Sequence, residues 1–252
     1  MRTIVAPLAI LVTALLAQEF EVATIKPSTP EFKGRYIRMQ GAEFVARNHV
    51  LKTLLAAAYN LSPKAISGGP GWVETEHFDI NARPQGMLHP DTDQQMTMLR
   101  KLIDDRFKIK FHREPRELPV YALTVAKGGP KLKPAAETPE GRQPLIITLF
   151  PAGSAKLPAR DATMGDLASV MQRATLDRPV IDQTNLPGRY DFDLEWTPDE
   201  FQFNGQGPRE TAESTHPDLF TAMQQQLGLR LEATRGPVQT LVIDQVERPT
   251  DN

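Results

Sequence analysis

The chain has 252 residues, 40% hydrophobic, 24% charged and 7% aromatic, with a formal net charge of −2. That apolar content is too high for a disordered chain and too dispersed for a multi-span membrane protein, and the near-neutral charge excludes a nucleic-acid partner held by phosphate neutralisation. Cysteine is absent, which removes disulfides, thiolate metal sites and cysteine nucleophiles, whereas 22 prolines exceed the roughly 5% average.

Met1 and Arg2 precede an uncharged run, residues 3–17 (TIVAPLAILVTALLA), which ends at Gln18-Glu19. This is the layout of a secretory signal peptide with Ala17 as the cleavage residue, and it is too short for a spanning helix. Cleavage removes only Arg2 among the charged residues, leaving 28 basic against 31 acidic side chains. The mature chain, with no membrane span, is expected in the periplasm or outside the cell.

Residues 20–26 (FEVATIK) alternate Phe20, Val22 and Thr24 on one side and read as a strand, as do residues 44–47. Asn48 is placed to cap a helix over residues 50–60, with Leu51, Leu54, Leu55 and Ala58 on one face. Gly68-Gly69-Pro70-Gly71 is a turn, residues 78–82 are a strand, and Asp93 opens a second helix carrying Met96, Leu99, Leu102 and Ile103. Residues 108–112 and 120–127 read as two further strands. Residues 130–144, with four prolines, read as an extended linker.

After the linker the pattern returns. Ala46-Arg47-Asn48 matches Ala159-Arg160-Asp161, Phe78-Asp79-Ile80 matches Tyr190-Asp191-Phe192, and Leu99, Ile103 and Phe107 match Leu219, Met223 and Leu227. The chain is therefore expected to be α+β, an internal duplication of a β-α-β-α-β-β unit, with small sheets each covered by two helices. The expected division is 1–17 signal peptide, 18–129 first repeat, 130–144 linker and 145–252 second repeat, with residues 197–217 as a loop inserted in the second. Whether the halves share one sheet is left open by the pattern.

The second half, from TMGDLASVMQRA through RPVIDQTNLPGRYDFDLEW to FTAMQQQLGLRLEATRGPVQTLVID, resembles the short N-terminal domain of secretins and TonB-dependent receptors. That resemblance implies a periplasmic docking module without a catalytic role. The whole chain is similar to a large acidobacterial family of uncharacterised secreted proteins, through FEVATIKPS (20–28), ISGGPGW (66–72), LIDDRFKIKFHREPRELPVYALTVAKGGPKL (102–132) and RPVIDQTNLPGRYDFDLEW (178–196). This likeness implies location and architecture and no activity. Arg173-Ala174-Thr175 departs from it, standing where the pattern has a glycine-containing turn.

No nucleophile elbow, zinc-protease motif, phosphate loop or dinucleotide fingerprint occurs, and no cofactor or metal is expected. His49, His77, His89, His112 and His216 fall in different elements; only His77 and His112 are a pair the fold could unite. Asp191, Asp193 and Glu195 alternate onto one face of a strand opposite Phe192, Leu194 and Trp196. Three such carboxylates suit Ca²⁺ or an acid/base pair, and equally the polar outer face of a half-buried sheet. Asp79 and Asp191 are each expected to accept backbone N–H groups at a turn or cap. Trp72 after the glycine turn is either a ligand-facing indole or a core ring. Lys108, Lys110 and Arg113 form a basic cluster that could face a partner, diluted by acidic neighbours. The expected role is a non-enzymatic binding protein for an envelope protein or extracellular ligand. The alternative is a secreted hydrolase using Asp191 and Glu195.

Overall fold

The computed structural model describes residues 19–29, 34–86, 90–136, 144–151, 153–205 and 216–249. The chain first runs β1 (Phe20–Pro27), β2 (Tyr36–Gln40), β3 (Glu43–Val50), α1 (Leu51–Ala58), β4 (Ile66–Gly68), α2 (Trp72–Thr75), β5 (His77–Pro84), α3 (Thr92–Phe107) and β6 (Lys110–Val125). It continues through β7 (Lys133–Pro134), β8 (Leu145–Ile146), β9 (Ala155–Ala162), α4 (Met164–Val170), β10 (Val180–Asp182), β11 (Tyr190–Trp196), α5 (Leu219–Ala222) and β12 (Leu229–Gln245). The fold is α+β, and the described residues form three four-stranded sheets ordered β1-β5-β3-β2, β10-β6-β12-β4 and β7-β11-β9-β8.

Two apolar cores form. One packs α1, α2 and α3 on the β1-β5-β3-β2 sheet around Phe44, Leu51, Leu54, Ile80, Leu99 and Phe107. The other packs α4 and α5 on the β7-β11-β9-β8 sheet around Leu157, Leu167, Leu194, Trp196, Leu219 and Met223. Burying a large apolar side chain contributes about 1.5–3 kcal/mol, so each cluster is a substantial driving force.

The central sheet joins the cores. β6 and β12 form a long antiparallel ribbon paired from Val125–Leu229 at one end to Lys110–Gln245 at the other. Leu241 and Ile243 of β12 lie in the first core, while Leu123 of β6 lies in the second. The outer strands are exchanged in the same way. β4 pairs in parallel with β12 through Ile66–Leu241 to Gly68–Ile243, and β10 pairs in parallel with β6 through Val180–Tyr121 to Asp182–Leu123. The two halves thus share one sheet.

Several local expectations change. A register shift between Phe20 and Val22 rephases β1, so Ile25 is buried and Val22 is 61% exposed. Asn48 is not a helix cap. It sits at φ +58 in a bulge of β3, and Val50 precedes α1 without a side-chain cap bond. The cap of α3 is Asp91, in a reciprocal box with Gln94, and Asp93 lies in the first turn. β2, β4 and α2 are elements the pattern did not show. Residues 108–112 and 120–127 belong to one unbroken strand, β6, despite Pro115 and Pro119.

The prolines are tolerated for a geometric reason. Tyr121 N–H points away from β12 and donates to Pro179 O at 2.9 Å. Alternation gives Pro115 and Pro119 the same outward direction, so neither removes a ladder bond. Pro237 faces Glu117 in the same class of pair on β12. Lys133–Pro134 of the expected linker pairs with β11 as β7, and residues 137–143 lie outside the described residues. Gly68 is required: its φ is +83 and a Cβ there would meet Ile243 O at 2.5 Å.

Candidate functional site

The carboxylate triplet lies on the outer face of β11, opposite the buried Phe192, Leu194 and Trp196. Each member is occupied locally. Asp191 Oδ1 accepts the Asp161 N–H at 2.9 Å. Asp193 pairs with Arg160 at 3.1 Å, and Glu195 lies 3.8 Å from Lys156. Among the described residues, no three His, Cys, Asp or Glu side chains gather as a metal site. Glu195 Oε1 also accepts from buried Ser154 Oγ at 3.3 Å and meets His216 Nε2 at 3.3 Å. A hydrolase triad needs the imidazole beside the serine, whereas here the carboxylate stands between them.

The Asp191 arrangement has a counterpart in the first core. Asp79 Oδ1 accepts the Asn48 N–H at 2.9 Å and Ser28 Oγ at 2.6 Å. Arg47 Nη1 donates to Ala46 O and Ile80 O, and its Nη2 to Asn81 Oδ1. In the second core Arg160 Nη1 donates to Ala159 O and Phe192 O, with Nη2 on Asp193. Asp161 at φ +55 takes the place of Asn48. Both carboxylates therefore hold a strand bulge whose residue has a left-handed backbone, the acceptor role that the Asp79/Asp191 match suggested.

The other singled-out residues are separated. Trp72 is corrected from a ligand-facing candidate to a core ring: it is 9% exposed, stacks on Phe107, meets Phe78 edge-on, and is covered by the Arg248 guanidinium at 5.2 Å. The α2 turn after Gly71 carries it inward. Lys108, at φ +48 after α3, and Lys110 are exposed. Arg113 does not join them. It shares strand parity with Phe111 and lies 5.7 Å over Tyr59, so the basic set is not one patch. His77 Nδ1 lies 3.1 Å from Asn48 O, and His112 Nδ1 lies 2.9 Å from Asp244 Oδ1, so the two have different partners. His89 lies outside the described residues.

A feature that residue patterns did not show is a polar cleft where the two halves meet. It has a volume of about 200 Å³ and is lined from the first half by Ala57, Asn60, Asp93, Met96 and Arg100. The second half contributes Ile146, Asp166, Ser169, Val170 and Arg173. The two halves are tied together by direct polar contacts. Asn60 Nδ2 donates to Ser169 Oγ at 2.8 Å, Gln172 Nε2 donates to Asn60 O at 2.9 Å, and Lys64 pairs with Asp177 at 3.1 Å.

Local structure explains how Arg173 reaches this place. α4 opens with a capping box between Thr163 and Asp166, and it ends in a π-helical turn over Met171–Thr175. Such turns recur at functional positions because they widen the helix and redirect side chains. Burial lowers the Arg173 pKa from its ordinary value, and Asp166 and Asp93 act in the opposite direction. Arg100, on α3, donates from Nε to Ala58 O at 2.6 Å and lies 5.4 Å over the Tyr59 ring. The cleft thus combines two guanidinium groups and two carboxylates with apolar side chains such as Met96, Ile146 and Val170.

Comparison with curated proteins and with solved structures finds no match. Comparison with family models matches residues 52–246, which span α1 to the end of β12 and include both arginines of the cleft. The chain belongs to the family described as protein of unknown function, DUF3738.

Proposed function

We propose that this chain is a non-enzymatic binding protein, exported to the bacterial envelope or exterior, whose ligand seats in the cleft between the two cores. The single observation that carries the reading is that both halves supply polar groups to one concavity. The uncharged run at residues 3–17 after Arg2 supports export with cleavage after Ala17. The engagement of Asp191 by a backbone N–H, and of Glu195 by Lys156 and His216, ranks the hydrolase reading second. The matched Arg47/Arg160 and Asp79/Asp191 contacts, with the reciprocal placement of β4 and β10, support an origin by internal duplication.

The test is a thermal-shift screen of the mature chain against small organic solutes and short peptides, with Ala57→Phe in parallel to fill the cleft from α1. Compounds that stabilise the wild type and not the filled variant are expected. Equal effects on both proteins, or none on either, would remove the cleft as the site. Mass spectrometry of the chain recovered from the periplasm or medium is expected to show a start at Gln18, and recovery only from the cytoplasm with residues 1–17 intact would overturn export.

A further inference from the structure

We infer that the cleft binds the carboxylate of a small zwitterion, an α-amino acid or short peptide, between Arg100 and Arg173; this rests on the cleft being the ligand site. Each arginine is held on its own wall through Nε, Arg100 to Ala58 O at 2.6 Å and Arg173 to Ser169 O at 3.3 Å. That contact fixes the plane of the guanidinium and leaves the two terminal nitrogens to point elsewhere. Among the described residues, neither pair of terminal nitrogens makes a hydrogen bond or an ion pair within 4.0 Å. A planar fork held at one nitrogen and open at the others is the geometry that takes a carboxylate in two parallel bonds.

The energetic setting agrees. Desolvating a guanidinium without an acceptor for its fork costs stability, and a bound carboxylate offsets that cost. Asp166 does not fill the role: its Oδ2 turns to Thr163, accepting from N–H and Oγ1 at 2.9 and 2.8 Å, and it makes no ion pair within 4.0 Å with either arginine. Asp93, exposed at the start of α3, accepts no side-chain or backbone hydrogen bond on its carboxylate from a described residue. It supplies an acceptor for an ammonium group. Two cations and two anions leave the walls neutral overall, so the cleft favours a ligand carrying both charges over one carrying either alone. At about 200 Å³ it lies below the roughly 300–1,000 Å³ usual for drug-sized ligands, which fits an amino acid or a short peptide.

The experiment is calorimetric titration of the mature chain with the common amino acids and dialanine, with propionate and succinate as carboxylates lacking an ammonium group. Putrescine and inorganic phosphate complete the panel. At least one zwitterion is expected to bind saturably, with affinity weakened about tenfold or more by Arg173→Lys and by Arg100→Lys, which keep the charge and lose the fork. Asp93→Asn is expected to weaken zwitterions and spare propionate. Arg173→Met is expected to fold with an unchanged or higher Tm while losing the ligand, which separates binding from folding. Binding by phosphate alone, by putrescine alone, or with full affinity in both lysine variants would overturn the inference. If other solutes stabilise the wild type but not Ala57→Phe, the cleft stands and the carboxylate clamp falls. If nothing does, both fall.

Discussion

Replacing Asp191 by Ala tests whether the carboxylates of β11 are structural, and Asp193→Ala on the same strand face supplies the comparison. Asp191 accepts a backbone N–H at 2.9 Å from Asp161, which is 8% exposed and held at φ +55. Removing the acceptor leaves a half-buried amide without its partner in a bulge the backbone does not favour. A hydrogen bond to a charged group contributes about 1.5–3 kcal/mol, and the orphaned donor adds a desolvation penalty of similar order. Asp193 makes only an ion pair with Arg160, the two side chains being 50% and 43% exposed, and such a pair contributes about 0–1 kcal/mol. The expected losses are therefore about 2 kcal/mol for Asp191→Ala and under 1 kcal/mol for Asp193→Ala. For a chain of this size, 2 kcal/mol corresponds to a fall in Tm of roughly 4–8 °C. Urea unfolding followed by circular dichroism reads both values. Equal losses in the two variants would refute the assignment of Asp191 to the bulge.

Gly68→Ala should cost at least about 2 kcal/mol, because a φ of +83 and the approach of Ile243 O both exclude a side chain, whereas Gly71→Ala, with open space around it, should stay within about 0.5 kcal/mol; thermal denaturation compares them. Trp72→Ala should lose about 3–5 kcal/mol, as expected for a core ring and not for an exposed binding residue. Burial pushes the His49 pKa down from 6.5 to about 3, with Arg35 and His77 adding to the shift and the Tyr36 backbone and Asp79 opposing it. The unfolded chain then takes up a proton as pH falls through 6.5 that the folded chain refuses. Stability is lost from about pH 6.5 towards 3 at about 1.4 kcal/mol per unit. Unfolding free energies at pH 7 and 5 should fall more in the wild type than in His49→Gln, by roughly 1–2 kcal/mol; parallel slopes would exclude His49 as the source.

Alternation made β11 legible, because Phe192, Leu194 and Trp196 bury one face of a sheet and nothing interrupts the period. The same reasoning failed at β1, where a bulge between Phe20 and Val22 inverts the phase. Asn48 was misleading because an Asx residue just before a helix has the local chemistry of a cap, while the group that defines its conformation, Asp79, comes 31 residues later. The sequence pattern divides β6 into two strands because proline interrupts a strand only when its missing N–H faces a partner, and facing is decided by tertiary pairing. The cleft left almost no local trace. Arg100 sits on an otherwise ordinary amphipathic helix, and Arg173 was visible only as a departure from the expected glycine turn. Their juxtaposition depends on how two cores dock, which neither periodicity nor spacing encodes.

The exchange of β4 and β10 has a consequence for the order in which the molecule is made. The first core cannot close around Leu241 and Ile243 until the last strand has emerged, and Ile66–Gly68 has no sheet to join before then. Contacts of such long sequence separation must pay loop-closure entropy before they return any stability, which slows folding. The first core is therefore expected to complete only after β12 has been made, which would leave a chain exported as proposed above incompletely folded during its passage. Its final structure would be reached only after the whole ribbon lies on the far side of the membrane.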